Sequence, residues 1–330
     1  MIADASGASL VDVKGLTKRF DIRKGAFARV AAQVHAVENV SFQIKEGEVL
    51  GLAGESGSGK TTIGRMLLRL IEASSGSIRF MGEEIAGFDR ARLLAFRGQA
   101  QIVFQDPFAS LDPTMTVGEA IAEPLRIQGM KAGSPELRQR IAELLEAVAL
   151  QPDFTLRRPE ELSGGQRQRV VIARALSVNP KFIVADEPVS SLDVSIQAQI
   201  IGLLERLQRR SGLTMLFISH DLAVMEYMSD RIAVLYLGRL MEIGPAHDVI
   251  AAPKHPYTEA LISAIPDAAQ RTGRKRVILT GEIPSAIAPP AGCVFHTRCR
   301  YALAACTQGV PELRETRPGH YKACIRDDLL

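Results

Sequence analysis

GESGSGKTT, residues 54–62, is the stretch on which the reading of this chain turns. It fits the spacing G-x-x-x-x-G-K-S/T, in which glycines let a loop fold tightly round phosphate oxygens. Working outward, the apolar run EVLGLAG ends at the loop and TTIGRMLLRLI, with helical periodicity, leaves it, so strand, loop and helix are expected in that order. Gly54, Gly57 and Gly59 allow backbone amides to turn inward, and Glu55, Ser56 and Ser58 fill the positions between them. The start of the helix adds the positive end of its dipole to the same place. Lys60 is expected to bring a point charge to the outer phosphates, and Thr61, followed by Thr62, to place a hydroxyl for Mg2+.

Two further apolar runs end in reactive residues. KFIVADEP closes on Asp186 and Glu187, and TMLFISHD closes on Ser219 and His220. In an open parallel sheet, ligands bind beyond the carboxyl ends of the strands, so all three ends are expected to face one crevice. Asp186 is suited to hold Mg2+ through water, Glu187 to orient or deprotonate an attacking water, and His220 to sense the terminal phosphate.

Composition sets the frame. At 330 residues with 46% apolar side chains, the chain can bury a large core and has room for about two domains. A net charge of +3 creates no global field that demands nucleic acid or acidic lipid. MIADASGASL lacks a basic segment and an apolar core, which argues against a secretory signal, and no apolar run approaches the roughly 18 residues that span a bilayer. A soluble, cytoplasmic chain is the simplest expectation. The basic stretch RTGRKRV, residues 271–277, reads as a solvated linker.

Residues 11–50 alternate apolar and polar positions and predict a half-buried antiparallel sheet, interrupted by the charged FDIRKGAFARVAAQVHAVENV. From residue 49, strands alternate with helices such as VSIQAQIIGLLERLQRR, which predicts a parallel sheet covered on both faces. VGEAIAEPLRIQG and PELRQRIAELLEAVAL are helical with no strand between them, so residues of about 106–160 read as a helical insertion. Beyond about 245 the chain turns Pro-rich and loses its periodicity, which sets a domain boundary between 1–245 and 246–330.

A phosphate loop alone also serves kinases and switch GTPases. The deciding stretch is ELSGGQRQRVVIARAL, where Ser163, Gly164, Gly165 and Gln166 open a second helix suited to anions. Here the chain resembles the ATP-binding-cassette (ABC) family, whose signature is LSGGQ. The other motifs follow in order: Gln105 in IVFQDP as the Q-loop, FIVADE as Walker B, Asp193 in SSLD as the D-loop, and His220 as the switch histidine. The resemblance implies an α/β fold with a RecA-like parallel core, an antiparallel β subdomain and an inserted helical subdomain. It implies ATP and Mg2+ as ligands, with Thr61, Gln105 and Asp186 at the metal. It also implies that two cassettes pair head to tail, the residues from Ser163 to Gln166 of one completing the site of the other. An aromatic residue before the phosphate loop stacks on adenine in the family; Phe20 in LTKRF takes that place, with Phe27 or His35 able to intrude from the long segment that follows.

FQDPFASLDPTMTVGEAIAEPL, KHPYTEALISAIP and GEIPSAIAPPAGCVFHTRC are similar to the ATPase subunits of bacterial oligopeptide, dipeptide and nickel importers, from about Val11 to Cys324. That likeness implies ATP hydrolysis coupled to uptake of a peptide or related solute. It further implies two permease subunits, a second ATPase subunit, an extracytoplasmic solute-binding protein and a place on the cytoplasmic face of the inner membrane. The rival reading is a soluble cassette acting on nucleic acid or ribosomes.

All the cysteines lie in the tail: Cys293, Cys299, Cys306 and Cys324, spaced C-x5-C-x6-C-x17-C. The spacing is not that of common zinc ribbons or ferredoxins, and by itself leaves metal binding and free thiols open. A Pro/Gly-rich unit of under about 40 residues usually needs a staple, which favours metal. In the peptide-importer family this pattern is associated with a 4Fe-4S cluster, so the expectation is a cluster first, zinc second and free thiols third, with His296 and His320 near enough in sequence to replace a thiol on zinc.

Overall fold

Short strands and helices alternate through most of the chain in a computed structural model that describes residues 9–24, 29–265 and 277–329. The opening MIADASGA, Phe27 and all but the last residue of the basic stretch lie outside the described residues. In chain order the elements are β1 (Ser9–Lys24), β2 (Arg29–Lys45), β3 (Val49–Ala53), α1 (Lys60–Leu67), β4 (Ser75–Phe80), β5 (Glu83–Glu84), α2 (Arg90–Gln99), β6 (Ala100–Val103), α3 (Pro107–Ser110), α4 (Val117–Ile127) and α5 (Pro135–Ala147). There follow α6 (Gly164–Leu176), β7 (Phe182–Asp186), α7 (Val194–Ser211), β8 (Thr214–Ile218), α8 (Leu222–Met228), β9 (Arg231–Tyr236), β10 (Arg239–Pro245), α9 (Ala246–Ala251), α10 (Pro256–Ser263), β11 (Arg314–Arg317) and β12 (His320–Lys322). They group into two units, one of residues up to 86 with 219 onward, the other of residues 87–218.

In the first unit an antiparallel sheet runs β2-β1-β4-β5. Its core face carries Val11, Val13, Leu16, Val37, Val40, Phe42 and Ile44, all buried, which is the alternation expected of a half-covered sheet. The described residues of the charged stretch, up to Lys24 and from Arg29, belong to the strands. β1 and β2 continue through it as a long ladder with Arg19 opposite His35 and Ile22 opposite Ala32. Cross-strand polar pairs replace the missing apolar signal: Arg19 bonds Glu38 at 2.7 Å and Gln33 bonds Asp21 at 2.9 Å.

The same unit holds strands β3, β9, β10, β12 and β11. β3 runs parallel to β9, with Leu50 opposite Arg231, and β9 turns back into β10. β12 pairs with β10 through Glu242 opposite Lys322, so the tail adds strands to the sheet that residues before 245 begin. Residues 246–263 are not irregular as their weak periodicity suggested. α9 and α10 are too short to show a period, and α10 starts on Pro256 with His255 Nδ1 accepting from the Tyr257 amide at 3.1 Å. Buried Glu242 anchors that turn, accepting from the amides of Lys254 at 2.7 Å and His255 at 2.9 Å.

In the second unit β6, β7 and β8 are parallel neighbours, Ala100 opposite Phe182 and Phe182 opposite Thr214. Every residue of FIVAD and TMLFI is buried, as strands covered on both faces require. Between β6 and β7 the chain is helical, as expected. Thr116 and Glu119 cap α4 reciprocally, and Val117, Ile121 and Leu125 on α4 and Leu137, Ile141 and Leu144 on α5 are buried.

Candidate functional site

The phosphate loop lies in the first unit between β3 and α1, as its flanks predicted. Gly54 has φ 147 and Gly59 φ 104, conformations that side chains rarely adopt. A Cβ at Gly54 would stand 2.2 Å from the Leu235 carbonyl oxygen, and one at Gly59 would stand 2.3 Å from that of Ala36. These glycines are therefore demanded by close backbone approach as well as by the turn. α1 opens on Gly59, which has no side chain to cap it, so the first-turn amides face the loop as an anion site requires. Lys60 is buried, and its ammonium donates to the carbonyls of Gly54 at 2.8 Å and Glu55 at 2.9 Å. Ser56 and Gly57 are exposed and Thr61 and Thr62 half-buried, so the cradle opens to solvent.

Phe20 is 41% exposed on β1, with the Lys18 ammonium 5.0 Å from its ring centre. It is not part of the buried core. His35 is occupied by Glu38, 3.0 Å from its Nδ1. Ser219 is buried and accepts from the Asp221 amide at 3.0 Å, which leaves His220 exposed at the turn into α8.

In the second unit, Asp186 ends β7 buried, and Glu187 follows with φ 47, a strained value for a residue with a side chain. The Glu187 amide donates to the Ile218 carbonyl at 2.9 Å, and its carboxylate accepts from Gln105 Nε2 at 3.0 Å. The Q-loop glutamine and the expected catalytic carboxylate, 82 positions apart, are thus hydrogen-bonded.

The signature opens α6 with a reciprocal cap. Ser163 Oγ accepts from the Gln166 amide at 3.4 Å, and Gln166 Oε1 accepts from the Ser163 amide at 2.9 Å. A Cβ at Gly165 would meet Ile196 at 2.6 Å, so the signature turn rests on the first turn of α7, which Asp193 precedes. Gln197 ties that turn back to the D-loop by donating to the carbonyls of Val189 at 3.1 Å and Leu192 at 2.9 Å.

Cys293, Cys299, Cys306 and Cys324 line one small cavity with His296 and Phe295. No disulfide joins them. Burial pushes the Cys293 thiol up to about 11 and raises Cys299 and Cys324 as well. The amide of Leu303 points at Cys306 Sγ and that of Arg326 at Cys324 Sγ, both at 3.5 Å. Such amide-to-sulfur contacts suit thiolate ligands. Among the described residues, however, no three His, Cys, Asp or Glu stand close enough to hold a single metal ion. The expectation that His320 could replace a thiol is corrected. Its Nε2 is 2.7 Å from buried Glu242, and it does not line the cysteine cavity.

Three residues of consequence escaped the sequence reading. Arg298 grips the Glu55 carboxylate at 2.7 and 3.2 Å, the Tyr257 hydroxyl accepts from the Glu55 amide at 2.9 Å, and Tyr236 packs at a tilt against Tyr257. Only the arginine left a trace, as a charge with no nearby partner inside the cysteine segment.

Comparison with known proteins gives the same reading. Residues 37–190 match the ABC transporter family and residues 241–306 match the family described as Oligopeptide/dipeptide transporter, C-terminal region. A Brucella ovis protein named, provisionally, as a peptide import ATP-binding protein is 55% identical over 97% of this chain and 98% of its own. The oligopeptide transport ATP-binding protein AppF of Bacillus subtilis is 48% identical over 97% and 98%. Among solved structures, a dimeric ATP-binding cassette in a post-hydrolysis state with ADP and Pi has a TM-score of 0.64 at 32% identity, covering 72% of this chain and 98% of that one.

Proposed function

This chain belongs to the family of peptide-import ATP-binding proteins of ABC transporters, and we propose from that premise how its residues share the work. It is the ATP-hydrolysing subunit of an ABC importer that takes up peptides or a related small solute. The observation that carries the site assignment is the phosphate loop itself, with its uncapped helix start, its two sterically required glycines and its buried lysine.

In this reading the amides from Gly57 to Thr62 wrap the phosphates and Lys60 exchanges its two carbonyl partners for phosphate oxygens. Phe20 stacks on the adenine. Thr61, Gln105 and Asp186 would hold Mg2+, which would supply positive charge against the charge that develops on the phosphate oxygens. Glu187 orients a water and takes its proton as the water attacks the terminal phosphorus. The bond to the bridging oxygen breaks, and ADP and phosphate result. Gln105, bonded to Glu187 at 3.0 Å, keeps that carboxylate in place, and His220 stabilises the terminal phosphate. Ser163 to Gln166 and Asp193 act on the nucleotide of a second cassette, a role supported by the dimeric form of the similar cassette. A dimer closed by ATP and opened by hydrolysis supplies the mechanical stroke.

The stroke drives two permease subunits, fed by an extracytoplasmic solute-binding protein. No helix among the described residues is long and apolar enough to cross a membrane. As the ATPase subunit of such an importer the chain is placed peripherally, on the cytoplasmic face, and exposed Ile127 and Leu156 of the helical insertion offer apolar contacts for the permeases. In the tail, Cys293, Cys299, Cys306 and Cys324 would hold a 4Fe-4S cluster, a reading supported by their shared cavity and the amides aimed at two of the sulfurs. Zinc is the alternative, and the same thiols would have to close in to hold it, since no three of them stand close enough for a single ion among the described residues.

The test of the nucleotide site is Lys60→Ala. Binding of a fluorescent MgATP analogue and ATPase turnover are both expected to fall by about 10²-fold or more. Parental affinity and turnover in a folded Lys60→Ala chain would end this reading.

A further inference from the structure

Glu55, the second residue of the phosphate loop, is held at three points. Its carbonyl accepts from the Lys60 ammonium at 2.9 Å. Its amide donates to the Tyr257 hydroxyl at 2.9 Å. Its carboxylate takes both arms of the Arg298 guanidinium, at 2.7 and 3.2 Å. The last two partners come from positions 202 and 243 residues away.

Neither partner is free to drift. Tyr257, Tyr236 and Phe295 are fully buried and pack in a triangle with ring centres 4.7 to 5.2 Å apart. Arg298 lies at the end of the turn His296–Arg298, and the Cys299 amide that follows donates back to His296. The arginine side chain is 8% exposed, and its second contact is the Tyr236 hydroxyl at 3.4 Å. A fork-to-fork pair of this kind fixes direction as well as distance.

We propose that Arg298 and Tyr257 are positioning residues of the nucleotide site, which hold the phosphate loop through Glu55 and so make the cysteine-bearing tail part of the ATP-binding apparatus. The proposal rests on the nucleotide reading above and adds to it a function for the tail. Two effects act together. The first is preorganisation. A glycine-rich loop loses much freedom on binding, and a loop already pinned at amide, carbonyl and carboxylate loses less. The second is charge. Glu55 places a carboxylate beside a cradle for phosphates, where its field opposes the ligand, and Arg298 cancels that field at contact distance.

The two effects separate by experiment. Arg298→Gln removes the clamp and bares the carboxylate, whereas Glu55→Gln removes clamp and charge together. The dissociation constant for a fluorescent MgATP analogue and the KM and kcat for ATP are measured on the full chain, with melting temperature as the check on folding. Arg298→Gln is expected to raise the dissociation constant and KM about tenfold or more and to leave kcat within about threefold, while Glu55→Gln costs about threefold. The double variant returns to the level of Glu55→Gln alone. A tail that merely staples the structure predicts the opposite, a double variant at least as weak as either single one.

Tyr257→Phe, which deletes one oxygen, is expected to weaken binding about threefold and serves if Arg298→Gln does not fold. Lys60→Ala in the same assay keeps the two levels of the argument apart. If it loses binding while folded Arg298→Gln and Tyr257→Phe bind within twofold of the parent, the positioning role is wrong and the nucleotide site stands. If Lys60→Ala binds normally, the nucleotide site itself is wrong.

Discussion

Glu187 shows how much chemistry is set at single residues. Its φ of 47 is one that a side chain normally avoids, and it is kept because the amide is tied to Ile218 and the carboxylate to Gln105. The strain turns the carboxylate off the line of β7, while Asp186 stays in line and buried. Glu187→Gln preserves the size and the contact to Gln105 but cannot take a proton. It is therefore expected to bind MgATP within about threefold of the parent and to hydrolyse it about 10²- to 10⁴-fold more slowly. Steady-state turnover beside nucleotide affinity checks this, and undiminished turnover would take the role from Glu187. The residue types at Lys60, Asp186 and Glu187 were legible in the sequence because Lys60 ends a glycine loop of fixed spacing and the two acids close an apolar run. The bond from Gln105 was not, since nothing local signals a partner so far along the chain.

At the scale of elements, the start of α6 is the most exposed to test. Ser163 and Gln166 satisfy two of the orphan amides at once, and Gly165 seats the turn against Ile196. Ser163→Ala is expected to destabilise this helix start by about 1 kcal/mol, seen as faster hydrogen exchange at the Gln166 amide and a lower melting temperature. Unchanged exchange there would mean that the cap contributes nothing. This helix could be read directly, because its cap residues and its apolar stripe lie in one stretch. The arms of β1 and β2 could not, because polar pairs such as Gln33 with Asp21 hold exposed strands without an apolar alternation. α10 escaped for a different reason. Eight residues give barely two turns, and its first turn is fixed by Glu242 on β10 rather than by its own sequence.

For the molecule as a whole, the question is what holds the tail. β12 joins β10, Phe295 packs against both Tyr236 and Tyr257, and Arg298 closes on Glu55, so apolar burial and an ion pair do part of the work assigned to the thiols. The four cysteines still share one cavity, and burial raises the pKa of three of the thiols. Protein purified without oxygen is expected to be brown and to carry about four irons and four sulphides per chain, as chemical analysis and the visible spectrum would show. Colourless protein, loaded with zinc or free of metal, would remove the cluster and leave the ATPase assignment intact. By itself, the sequence determined the family, the phosphate loop, the signature helix and the strand ends that carry acids, because each of these is written in consecutive residues whose periodicity and backbone demands are local. The tertiary structure alone decided that Gln105 meets Glu187, that His320 belongs to Glu242, and that Arg298 and Tyr257 reach back to Glu55. Those contacts join residues 78 to 243 positions apart, and they exist because the fold closes those loops, not because of any propensity of the residues that meet.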